Sequence, residues 1–123
     1  NPYAKVIEFC KNHEILYAYS DLGTSAIGSF LGKGDVYIAE YTKIHRQKNI
    51  KERLAREGGF SILVSSTSSR DLETYQKYLE ETLLSYSKDT IKSEKDADDL
   101  YYVFSNFQGS PRSIERLRSL IKG

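Results

Sequence analysis

The 123-residue chain predicts an α+β domain: helix, strand, strand, helix, strand, strand, helix, preceded by a short N-terminal helix. Three observations carry this. Leu72, Tyr75, Leu79, Leu83 and Tyr86 recur at helical spacing and form the clearest apolar stripe in the chain. Strand-like runs stand in pairs on either side of that stripe, as two long hairpins. A second helix closes the sequence, with Ser110 as cap, Pro111 at the first position and Ile114, Leu117, Leu120 and Ile121 on one face.

Taken in order, Pro2 suits a first helical turn, and Val6, Ile7, Phe9 and Cys10 give a stripe that fades at Asn12. Ile15 to Tyr19 is a compact apolar run that periodicity leaves open between strand and helix, and residues 1–19 read as an N-terminal extension. From Ser20 or Thr24 to Leu31 small and apolar residues predict a helix, stopped by Gly32 and Gly34 around Lys33. Gly28 inside it costs about 1 kcal/mol relative to Ala, which close approach of a second helix would justify. Asp35 to Ile44 reads as a half-exposed strand, Val36 and Ile38 inward and Tyr37, Tyr41 and Lys43 outward.

Residues 45–58 fit either a two-turn helix, begun by Asn49 and Glu52 and stopped by Gly58 and Gly59, or a long basic hairpin loop. Phe60 to Ser65 is a strand, and Ser66 to Ser69 supply N-caps for the Leu72 helix. Tyr86 to Glu94 is a weak strand, Lys95 to Asp99 a charged turn and Leu100 to Phe107 a strong strand. With no linker and no repeat, residues 1–123 read as one domain.

Composition excludes more than it identifies. With 39% of residues apolar and 28% charged, the chain has material for a single core and is neither disordered nor collagenous. No apolar run approaches the roughly 18 residues of a membrane span, and the first residues lack the layout of a secretory signal, so the expected location is intracellular, with no membrane partner. One cysteine, Cys10, precludes an internal disulfide framework, and His13 and His45 lack metal-ligand spacing, so no resident metal or other cofactor is expected. The net charge of +1 is zonal: −2 over residues 1–42, +4 over 43–57, +1 from Arg70, −5 over 71–100 and +3 over 101–123. A basic block after a strand is either a phosphate footprint or a solvated face.

The stretch Ala26-Ile27-Gly28-Ser29-Phe30-Leu31-Gly32-Lys33-Gly34-Asp35-Val36-Tyr37-Ile38, taken with the element order, resembles the LAGLIDADG homing endonucleases over residues 20–122. Gly28 falls on the motif's internal glycine, Gly34 on its terminal glycine, and Gly28 and Gly32 would lie at the helix interface. The resemblance implies an antiparallel four-stranded curved sheet with helices on one face and a concave side that lies in a nucleic-acid groove. Nucleic acid, DNA ahead of RNA, is then the partner. The contacts it implies come from Tyr37, Tyr41 and Lys43, from Ser61 and Ser65, from Lys88 and Lys92, and from His45, Arg46 and Lys48 at a hairpin tip. One motif helix implies a homodimer or a paired half-domain.

Lys33 stands where the family carries its metal-binding acid. An ammonium has no acceptor and its charge opposes a cation, so the expected function is binding without cleavage, of the splicing-cofactor or regulator type. Two alternatives stand beside it. In one, Asp35 takes the acid's place in an active Mg²⁺-dependent DNA endonuclease. In the other, the hydroxyl-rich loop Ser66 to Arg70, between a strand and a helix start, binds a small anion or nucleotide through backbone amides and the helix dipole, where capping alone is the bland account.

Overall fold

The computed structural model describes residues 2–20, 36–40, 59–92 and 99–122. The elements are α1 (Pro2–Asn12), β1 (Tyr17–Ser20), β2 (Tyr37–Glu40), β3 (Ser61–Ser65), α2 (Ser69–Thr82), β4 (Ser85–Lys92), β5 (Asp99–Gln108) and α3 (Pro111–Lys122). The α+β class and the order of elements agree with the sequence reading, and the undecided run at Ile15 to Tyr19 resolves as β1. Ser20, one of the two expected starts of the helix ending at Leu31, is the last residue of β1; the rest of that helix, with Gly28, Gly32 and Lys33, falls outside the described residues, as do Asp35 and residues 45–58.

The sheet corrects the expected architecture. It has five strands, in the order β2-β1-β3-β5-β4, and it is mixed. β1 pairs in parallel with both β2 and β3, whereas β5 is antiparallel to both β3 and β4. Only β4 and β5 form the hairpin that the sequence reading assigned to each pair. β2 and β3 flank β1 and do not meet. Parallel neighbours need a connection of about a dozen residues or more, and residues 21–36 and 41–60 supply that length.

Helices cover both faces, not one. Ile62 and Val64 of β3 pack with Tyr75 and Leu79 of α2 and Leu117 and Ile121 of α3. Leu63 between them packs with Val6, Ile7 and Cys10 of α1. Successive strand residues point to opposite faces, so α1 lies on one side of the sheet and α2 and α3 on the other. Ile62, Leu63 and Val64 are each 0% exposed, the mark of an interior strand buried on both sides. Among the described residues no helix is long and apolar enough to cross a membrane.

Two helix ends differ in informative ways. Ser110 caps α3 as its sequence predicts, its Oγ accepting the Ser113 N–H at 3.0 Å. The Leu72 stripe stops a turn early: α2 ends at Thr82, Leu83 takes the left-handed conformation (φ 57°) and is 88% exposed, and Tyr86 belongs to β4. That turn redirects the chain into the β4–β5 hairpin.

Candidate functional site

The parallel strands define a divergence at their carboxyl ends. β1 ends at Ser20 and its chain passes to β2; the adjacent β3 ends at Ser65 and its chain enters α2 and passes to β4 on the far side. In open sheets with parallel strands, ligands bind in the crevice opened where neighbouring connections part in this way. The Ser20 hydroxyl ties the two strands there by donating to the Leu63 carbonyl at 3.1 Å, fully buried.

The loop leaving β3 is built from its own hydroxyls and amides. Ser65 Oγ and Thr67 Oγ1 share a hydrogen bond of 2.9 Å, and the Thr67 N–H also reaches Ser65 Oγ at 3.4 Å. The Ser68 N–H donates to the Ser65 carbonyl, and the Ser66 N–H donates to Leu100 of β5, which anchors the loop to the sheet. Ser68 occupies the N-cap position of the 14-residue α2, yet its side chain makes no capping hydrogen bond. The bland account of the serine cluster, that it caps α2, therefore fails at the position where it would operate. Arg70 is exposed in the first turn, and Asp71 beside it is the acidic residue that complements the helix dipole.

A second concavity, about 560 Å³, lies at the opposite end of the sheet. Its walls are His13 and Glu14 beyond α1, Tyr17 at the start of β1, Phe60 ahead of β3, Asp89 of β4 and Phe107 near the end of β5. Ser61 and Ser105, 5% and 8% exposed, form part of its lining. Behind Phe60, the Arg118 guanidinium sits 5.0 Å from the ring centroid. Arg118 is 4% exposed, and it also tempers the upward shift that burial imposes on the Tyr19 hydroxyl, while Glu115 adds to that shift. The Tyr19 hydroxyl has no hydrogen-bond partner among the described residues. Sequence reasoning missed Arg118, although its position between Leu117 and Ile121, four residues after Ile114, puts it on the buried stripe of α3.

Among the described residues, the groove contacts expected from the family resemblance do not share one face. Ser61 and Ser65 lie on the side of β3 that faces α1, with Leu63 between them, and Ser61 is buried. Lys88 lies on the other side, where its Nζ stands 4.7 Å from the Tyr102 ring centroid and 5.9 Å from that of Phe104. Lys92 is exposed near the end of the same edge strand. The split arises because β3 is an interior strand with cover on both faces. Tyr37 lies in β2 opposite Tyr17 of β1. Tyr41, Lys43, His45, Arg46 and Lys48 fall outside the described residues, as does the whole basic zone of residues 43–57. Comparison with protein-family models, with curated proteins and with solved structures found no match to this chain.

Proposed function

We propose that the protein binds a small phosphate-bearing ligand of the nucleotide class at the carboxyl ends of β1 and β3. The observation that carries this is the parallel β2-β1-β3 arrangement, whose connections part at the loop leading into α2. A phosphate there meets the positive end of a four-turn helix whose cap residue leaves the first turn's amides unclaimed by its side chain. The hydroxyls of Ser66, Thr67 and Ser69 and the guanidinium of Arg70 supply further donors.

Isothermal titration with ATP, with inorganic phosphate and with a 12-nucleotide single strand tests the reading. ATP is expected to bind, and Arg70→Glu is expected to weaken it about tenfold, the worth of one charge-assisted contact replaced by a repulsion. Arg70 is exposed, and an acid in a first helical turn favours the helix, so the variant retains its fold. Absence of ATP binding at millimolar concentration in the wild type overturns the proposal.

One observation supports a second reading, nucleic-acid binding without cleavage. Lys88, Lys92, the 43% exposed Tyr86 and the half-buried Tyr102 share one side of the β4–β5 hairpin, a combination of cations and flat rings that suits a single strand. The same titration separates the two: tight oligonucleotide binding that falls steeply with salt, and is lost in Lys88→Glu but retained in Arg70→Glu, favours the second.

A further inference from the structure

The concavity at the amino ends of β1 and β3 is lined by two carboxylates, Glu14 and Asp89, by one imidazole, His13, and by no lysine or arginine among the described residues. Tyr17, Phe60 and Phe107 give it flat apolar walls, with Phe60 and Phe107 in contact at 5.2 Å between ring centroids and tilted by 36°. Buried Ser105 adds a hydroxyl to its lining. The end of α1 reaches it as well: the His13 N–H closes the last turn on the Phe9 carbonyl, and Glu14 follows in a left-handed conformation (φ 57°) that brings the chain to the rim. A helix C-terminus carries the negative end of the dipole. The facing helix start, at α3, contributes Ile114, and the Ser110 hydroxyl already occupies the Ser113 amide of that first turn. Arg118, the guanidinium placed over Phe60 among the described residues, is itself buried.

We propose that this cleft is a binding site for a small organic cation, an amine whose ring or methylene body lies against Tyr17, Phe60 and Phe107 and whose ammonium is held by Glu14 and Asp89. Carboxylates and aromatic faces both select positive charge, and a volume of about 560 Å³ matches a small metabolite, not a chain segment. The site is separate from the proposed phosphate site and does not depend on it.

The test uses tyramine as probe, with p-cresol as its uncharged counterpart and 4-hydroxyphenylacetate as its anionic one, followed through amide chemical shifts of the full chain. Tyramine is expected to shift the amides of residues 13–17, 59–61 and 105–107, with p-cresol at least tenfold weaker and the anion inactive. Asp89→Asn is expected to weaken tyramine at least tenfold while leaving p-cresol unchanged, a split that loss of folding would not produce. Gly59→Gln supplies an independent check by obstruction: a Cβ there meets nothing within 4 Å among the described residues, and a long side chain at this lining position is expected to narrow the cleft. Equal binding of all three probes, binding unaffected by both variants, or no shifts with 10 mM tyramine overturns the proposal.

Discussion

Cys10 makes the stability of this fold sensitive to alkali in a way that can be calculated. Its thiol lies at 0% exposure between α1 and the sheet, and burial pushes it up from an ordinary 9.0 to about 12. The unfolded chain releases this proton near pH 9, whereas the folded chain holds it to about pH 12, so the unfolded state binds fewer protons over that window and stability falls as pH rises. One pKa unit corresponds to about 1.4 kcal/mol, which gives a loss of about 2 kcal/mol by pH 10.5 and about 4 kcal/mol above pH 12. Below pH 8 the thiol contributes no pH dependence. Burial raises Tyr19 and Tyr75 in the same direction, so the whole protein is expected to weaken more steeply than Cys10 alone requires. Cys10→Ala isolates the thiol. Urea unfolding at pH 7.5 and pH 10.5 should show the wild type losing about 2 kcal/mol more than the variant between the two conditions. At pH 8 the native thiol should react with iodoacetamide roughly 1,000-fold more slowly than the unfolded chain, since thiolate is the nucleophile. A gap between wild type and variant that stays constant with pH, or labelling of the folded protein at the free-thiol rate, refutes the reasoning.

Two further outcomes follow from packing. Leu79→Ala removes a side chain 1% exposed from the cluster under α2 and α3, and is expected to cost about 2–5 kcal/mol in chemical unfolding. Leu83→Gly relieves a left-handed residue whose side chain is 88% exposed, and is expected to stabilise by about 0.5–1 kcal/mol, read as a higher melting temperature.

The parts of the fold legible in the sequence are those whose information is local. Pro2, Ser110 and Pro111 mark helix starts through backbone chemistry that operates within a few residues, and the alternation around β4 and β5 belongs to a hairpin whose strands are close in sequence. The pairing of β1 with β2 and β3 is not local, and short-range patterns do not encode it. Its signal was nonetheless present in Ile62, Leu63 and Val64: three consecutive apolar residues cannot leave one face to water, and a strand buried on both faces implies helices on both. The site depends on the same long-range packing. Ser61 and Ser65 share a face by parity alone, but whether that face is open depends on α1, which is separated from β3 by most of the chain's first half. The loop at Ser66 to Arg70 was visible as a strand–hydroxyl–helix pattern; what sequence cannot reveal is that Ser68 stands at the cap position and does not cap.

The direction of the strands also explains why the two proposed sites take opposite charges. Helix α2 begins at the carboxyl ends of β1 and β3 and presents its positive terminus there, beside Arg70. Helix α1 ends at their amino ends and presents its negative terminus beside Glu14. A strand the length of β3 separates the sites by about 15 Å, roughly two screening lengths at physiological salt. Charge at one site is therefore almost invisible at the other. Arg70→Glu and Asp89→Asn should each weaken their own ligand and leave the other unaltered, and the double variant should show the sum of the two free-energy changes for its two ligands. A change in tyramine affinity on adding ATP would instead mean that the loop into α2 and the cleft below Phe60 move together through β3.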